Sequence, residues 1–147
     1  MSYYDWVKSI ESLKDSPMDD SLIEKLKTQK IENNPYTIAR LVIHIYNMIE
    51  ERLNKAGFVC LKGIINNHRD INALELHFIN LKKEKQFVSK LNDLQIFDNE
   101  MKEKIRKRIN LKFKEIYNFL KIRVNELDID GVYISTFEKI LSSSMEE

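Results

Sequence analysis

Only three glycines and two prolines punctuate the 147 residues of this chain. Antiparallel sandwiches and barrels reverse direction about every 8–12 residues and spend glycine, proline and asparagine on each turn. Five chain breakers cannot serve such a fold, but they suffice for a handful of long helices. The chain is apolar enough to bury a core, at 43%, while 32% of its residues are charged, a balance that excludes a disordered polymer. The expected fold class is therefore all-α: a single-domain helical bundle of about five to seven helices spanning residues 1–147.

Periodicity and capping residues place the helices. Ser2 is an N-cap with Asp5 three positions on, and Tyr3, Trp6, Val7, Ile10 and Leu13 follow at helical spacing until Ser16-Pro17 ends the pattern. A weaker helix starts near Ser21, with Glu24 completing a capping box and Leu22, Ile23 and Leu26 as its thin apolar side. In the third, Asn34 caps, Pro35 takes the first turn, and Gly57 is expected to close the helix after Lys55. Its stripe is Ile38, Leu41, Val42, Ile45, Met48, Ile49 and Leu53. From Phe58 to Ile65 the chain is short and apolar, with Gly63 inside, and periodicity does not decide between helix and strand; the flanking helices favour a short helix.

A long helix is expected from about Ile71 to Leu91, capped by Asp70, with the ridge Ile71, Leu74, Phe78, Leu81 and Val88. Leu76, Ile79 and Phe87 lie off that ridge, which predicts a central helix packed on both faces; a partner surface is the alternative. The last long helix, from about Asn99 to Asn125 behind Asp98, buries Ile105, Ile109, Phe113, Ile116, Leu120 and Val124. A turn at Asp128-Ile129-Asp130-Gly131 and a short helix from Ser135 to Leu141, carrying Phe137 and Ile140, complete the pattern.

Chemistry-bearing motifs are sparse. Cys60 is the single cysteine, so no internal disulfide and no cysteine-cluster metal site can form, and its apolar neighbours Phe58 and Leu61 predict an inert, packed thiol. None of His44, His68 and His77 pairs at the i, i+4 spacing of a helical zinc site. If the fold joined His44 to His77, Glu75 or Glu50 would complete a carboxylate-assisted site. His68-Arg69-Asp70 spells a kinase catalytic-loop tripeptide, but the glycine-rich loop, strand lysine and downstream asparagine of that chemistry are missing, and Asp70 serves as a helix cap. Glu126 to Gly131 resembles half of a calcium-binding helix–loop–helix, yet with Gly131 at loop position six the twelfth position is Phe137, and Glu138 falls one residue late. No metal, no cofactor and no enzymatic activity are expected.

No stretch reaches the roughly 20 apolar residues of a membrane span. Asp5, Lys8, Glu11 and Lys14 interrupt any leader-like apolar run, so no membrane contact is expected and the expected location is the cytoplasm, where a lone thiol stays reduced.

Charge is the one uneven feature. The whole chain sums to +1, but the segment from Lys102 to Arg123 holds nine cations (Lys102, Lys104, Arg106, Lys107, Arg108, Lys112, Lys114, Lys121, Arg123) and two carboxylates, Glu103 and Glu115. It is +7, which leaves −6 for the remainder. Lys107, Lys114 and Lys121 recur every seven residues, away from the apolar stripe. Nineteen isoleucines, 18 lysines and 13 asparagines point to an AT-rich coding sequence, which lowers the weight of lysine content alone as a binding signal. The sequence thus predicts a non-enzymatic interaction module, a small regulator or inhibitor of immunity or antitoxin type. It would meet a protein partner, acidic in character, through Lys104, Lys107, Arg108, Lys114 and Lys121. The alternative is a nucleic-acid binder using the same helix, with Tyr117 and Phe119 as stacking candidates.

Overall fold

The computed structural model describes residues 1–31, 34–67 and 69–126, with Lys139 alone beyond them. Five α-helices make up most of this: α1 (Tyr3–Leu13), α2 (Ser21–Lys27), α3 (Pro35–Asn67), α4 (Ile71–Ser89) and α5 (Asn99–Glu126), with a 3₁₀ turn at Lys90–Asp93. No strand occurs among the described residues, so the fold is all-α. His68, the expected Asp128–Gly131 turn and calcium-like loop, and the expected helix from Ser135 to Leu141 lie outside them, as does the side chain of Ile71.

The chain forms two compact units. One comprises Met1–Arg52 and Gln86–Asn110; the other comprises residues 53–85 and α5 from residue 111. The division falls inside helices rather than in a linker, which is why composition shows no break.

In the first unit α1 begins as its sequence dictates. The Ser2 hydroxyl accepts from the Asp5 amide at 3.2 Å while the Asp5 carboxylate accepts from the Ser2 amide at 3.2 Å. The Ser2 hydroxyl also donates to the Asp5 carboxylate at 2.9 Å, and that bond first, with the one from the Ser2 amide, holds the Asp5 carboxyl below its usual range. Trp6, Ile10 and Leu13 are fully buried. The end of α1 is fastened by a residue the sequence reading did not single out. Arg52, a cation only 5% exposed on the apolar stripe of α3, donates to the Leu13 carbonyl at 2.6 Å and the Ser16 carbonyl at 2.8 Å, with its guanidinium over the Phe87 ring at 4.3 Å. It satisfies carbonyls that the end of α1 leaves without helical partners.

The capping box expected at Ser21 does not form. Asp20 is the N-cap and makes no side-chain cap, Ser21 instead donates to the Asp19 carboxylate, and Glu24 pairs with Lys27 at 2.8 Å. With seven residues, α2 depends on neighbours. Its last turn is tied to the 3₁₀ turn by Lys27–Asp93 at 3.8 Å and, just beyond, by Gln95 donating to the Lys27 carbonyl; Lys90 also pairs with Asp20.

The larger correction concerns α3. Asn34 caps it as expected, its side-chain oxygen accepting from the Tyr36 amide at 2.9 Å, but the helix does not stop at Gly57. It continues to Asn67, and no described glycine adopts a left-handed φ. The apolar stripe runs straight through: Leu53, Gly57, Cys60 and Ile64 keep helical register and are buried. Phe58 does not fold back on a last turn; it stands 63% exposed.

In the second unit the two glycines of α3 mark close approaches. A Cβ at Gly57 would lie 3.0 Å from Cγ2 of Ile116 on α5, and one at Gly63 would lie 2.3–2.5 Å from the His77 ring on α4. Asp70 caps α4 through the amides of Asn72 and Ala73. Helix α4 closes at Ser89 and tightens into the 3₁₀ turn, two residues before the expected end at Leu91.

Candidate interaction surface

Helix α5 owes its orientation to two features legible in sequence. Asp98 caps it, accepting from the Met101 amide at 2.8 Å. The stripe Ile105, Ile109, Phe113, Ile116, Leu120 and Val124 is buried throughout. With about 100° between successive residues, that stripe turns Lys107, Lys114 and Lys121 to solvent, and all three are exposed.

The cations of α5 then separate into two kinds. Arg106 chelates Glu103 at 3.0 and 2.5 Å, a contact that holds the Glu103 carboxyl below its usual range. Lys112 pairs with Glu115 at 3.4 Å and Arg123 with Glu126 at 3.0 Å. Among the sequence-predicted contacts, Lys104 pairs with Glu100 at 3.5 Å, a loose surface pair of small worth. Arg108 is held more firmly, by Glu50 and by stacking 5.1 Å over the Tyr46 ring, so it braces α5 against α3 within the first unit. Lys107, Lys114 and Lys121 make no ion pair among the described residues. Of the five predicted contacts, these are the three whose charge is available.

Apolar residues share that face. Leu111 and Ile122, both in the second unit, are 56% and 58% exposed. Around the helix they fall between the lysines and Phe119. The Phe119 ring meets Phe58 of α3 edge to face at 5.5 Å, with the Arg123 guanidinium 5.7 Å above it. Phe119 is therefore half-buried in a wall rather than presented as a free stacking platform. The two touching rings line a cleft of about 190 Å³ together with Asn54, Gly57, Lys112, Glu115 and Ile116. The sequence reading did not find this cleft; exposed Phe58, one residue past a glycine still in helical register, was the available signal.

His44 and His77 have ordinary neighbours. His44 Nε2 lies 3.2 Å from the Tyr3 hydroxyl and its Nδ1 3.7 Å from Glu11, whose carboxyl is lowered chiefly by a hydrogen bond to Lys14. His77 packs over Gly63 beside Asn67. Glu50 is taken by Arg108 and Glu75 is exposed. No group of three potential metal ligands occurs among the described residues. Cys60 is buried, and burial pushes its thiol up to about 12. On α4, Leu76 and Ile79 are exposed while Phe87 is buried, so the helix is not covered on both faces as expected. No described helix is long and apolar enough to cross a membrane.

Comparison with protein-family models, with curated proteins and with solved structures finds no match.

Proposed function

We propose that this protein is a non-enzymatic interaction module, a small regulator or inhibitor of immunity or antitoxin type, working as one helical domain in the cytoplasm and binding an acidic protein partner through α5. The observation that carries the reading is the composition of the exposed face. Lys107, Lys114 and Lys121 recur in seven-residue register on α5 with no ion pair among the described residues, and in the second unit Leu111 and Ile122, both more than half exposed, share the helix with Lys114 and Lys121. Solvent-exposed cations speed encounter with an acidic partner and set its orientation, and adjoining apolar side chains supply the desolvated contact that holds it. The Cys60 thiol, buried and with its ionisation suppressed, gives no support to nucleophilic catalysis.

Nucleic-acid binding by the same lysines is the second reading, favoured by their linear register alone. The −6 carried by the rest of the chain and the Glu115 carboxylate, which lines the same cleft as Phe119, weigh against a polyanion.

The test is affinity capture from native lysate with and without nuclease, followed by binding kinetics with the captured protein. Capture should survive nuclease. Reversing Lys107, Lys114 and Lys121 to glutamate should slow association at least tenfold and flatten its salt dependence, with little change in dissociation. Capture that nuclease abolishes contradicts the proposal.

A further inference from the structure

We infer that residues 127–147 fold back on the second unit and cover the apolar strip that α3 and α5 expose there, a built-in shield over part of the face assigned to the partner. What the shield regulates rests on the protein-partner reading above; where it lies does not.

The strip leads to the point where the segment begins. In the second unit Gly57 approaches Ile116 and Phe58 meets Phe119, so residue numbers rise together along α3 and α5. Ile65 repeats the position of Phe58 two turns on, and Ile122 follows Phe119 by one turn, towards the end of α5 at Glu126. Phe58, Ile65 and Ile122 are 63%, 44% and 58% exposed. Large apolar side chains aligned in this way, unlike scattered single ones, mark a surface that something covers.

The segment is an occupant of matching length and chemistry. Nine of its 21 residues are apolar, and the expected helix from Ser135 to Leu141 carries Phe137, Ile140 and Leu141 on one side. Seven residues do not hold a helix alone, so those side chains need an apolar surface to pack on. Such a helix is about 10 Å long, the same rise that separates Phe58 from Ile65. The eight residues before it, 127–134, reach at most about 26 Å and include Gly131 for the reversal, enough to bring the helix back along the strip. Lys139 falls about 150° around that helix from its apolar side, and it is exposed.

Charge agrees with this placement. The segment holds five carboxylates and one cation, hence −4, and Lys121, next to Ile122 in the chain, makes no ion pair among the described residues. Tethering favours the segment over a second copy or a free partner, since a short linker gives it a millimolar effective concentration at the strip. Ile122 also belongs to the face proposed for the partner, so segment and partner compete for it.

Hydrogen exchange of the full-length protein, read by mass spectrometry on peptides covering 135–141, tests the placement. Those amides should be protected. Ile65→Asp with Ile122→Asp, both exposed positions outside the segment, should speed their exchange at least tenfold. Leu111→Asp, exposed on α5 outside the strip, should leave it unchanged. Circular dichroism melts verify that each variant stays folded. In a second arm, a fluorescein-labelled synthetic peptide of residues 127–147 is titrated by anisotropy. It should bind the full-length Phe137→Asp, Ile140→Asp variant at least tenfold more tightly than the unmodified protein, whose strip is already covered. Unprotected amides, exchange unmoved by the strip variant, or equal acceleration by Leu111→Asp overturns the inference, as does a peptide that binds both proteins equally or neither. Protection that fades on dilution assigns the segment to a second copy's strip and overturns it too. If the exchange pattern holds while nuclease abolishes capture, the protein-partner reading falls and the cover stands.

Discussion

Arg52 shows how one residue couples two helices. Its guanidinium is buried, hydrogen-bonded to the Leu13 and Ser16 carbonyls and stacked on Phe87. Truncation to alanine leaves those carbonyls short of donors, and we expect Arg52→Ala to cost roughly 2–4 kcal/mol in denaturant unfolding. Lysine should restore little, because a point-like ammonium cannot both span two carbonyls and lie flat on a ring. Glu11 governs a pH effect at the same end of the unit. Its carboxyl is depressed by Lys14 first and by His44 less, so its contribution is complete above the ordinary value of 4.5 and is lost as pH falls through the lower folded value. Stability curves of the unmodified protein and Glu11→Gln should differ at neutral pH and converge in acid. The Cys60 thiol should resist alkylation in the native protein at pH 8 and react promptly in denaturant. Cys60 was legible in sequence from its apolar neighbours; Arg52 was not. The one hint was a cation in helical register between Ile49 and Leu53, and nothing local reveals that the end of another helix needs its donors.

At the level of elements, caps and apolar stripes located α1, α3, α4 and α5 because each start is a local hydrogen-bonding problem that the nearby sequence solves. Substituting Asp98→Ala should cost about 1 kcal/mol by unbonding the Met101 amide. The misreading at Gly57 has an equally physical origin. Glycine serves a helix end through backbone freedom or a helix interior through its missing side chain, and only the partner across the contact decides which. Here the partner is Ile116. Alanine is worth about 1 kcal/mol more than glycine in an unstrained helix. We nevertheless expect Gly57→Ala to lower the melting temperature, since the β-branched Ile116 is buried and cannot swing aside. In an Ile116→Leu background, which removes that methyl, the same change should become neutral or stabilising. Equal destabilisation in both backgrounds would refute the close-approach explanation. The seven-residue α2 was foreseen in place but not in its cap, because its anchorage comes from Asp93 and Gln95, far along the chain.

At the scale of the whole molecule, the division of labour is between a core that sequence reveals and a surface that it reveals only in part. Ile45, Phe78 and Ile116 are each buried, and truncating any one to alanine should cost roughly 2–5 kcal/mol. The +7 charge of residues 102–123 and the seven-residue register of Lys107, Lys114 and Lys121 were readable in the sequence as candidate contacts, with Lys104 and Arg108 beside them. Which of them remain free was not, since Glu50 reaches Arg108 across 58 positions of sequence. The cleft was equally hidden, being made where two distant segments approach. Lys107, Lys114 and Lys121 make no ion pair among the described residues, and the proposal is that they meet protein rather than phosphate. That claim is tested most directly by titrating single- and double-stranded oligonucleotides into the unmodified protein and the Lys107→Glu, Lys114→Glu, Lys121→Glu variant at near-physiological salt. The predicted result is no saturable binding by either protein below roughly 10 μM, tighter than the bulk of non-specific affinities. Low-micromolar binding by the unmodified protein that weakens steeply with salt and vanishes in the variant would contradict it.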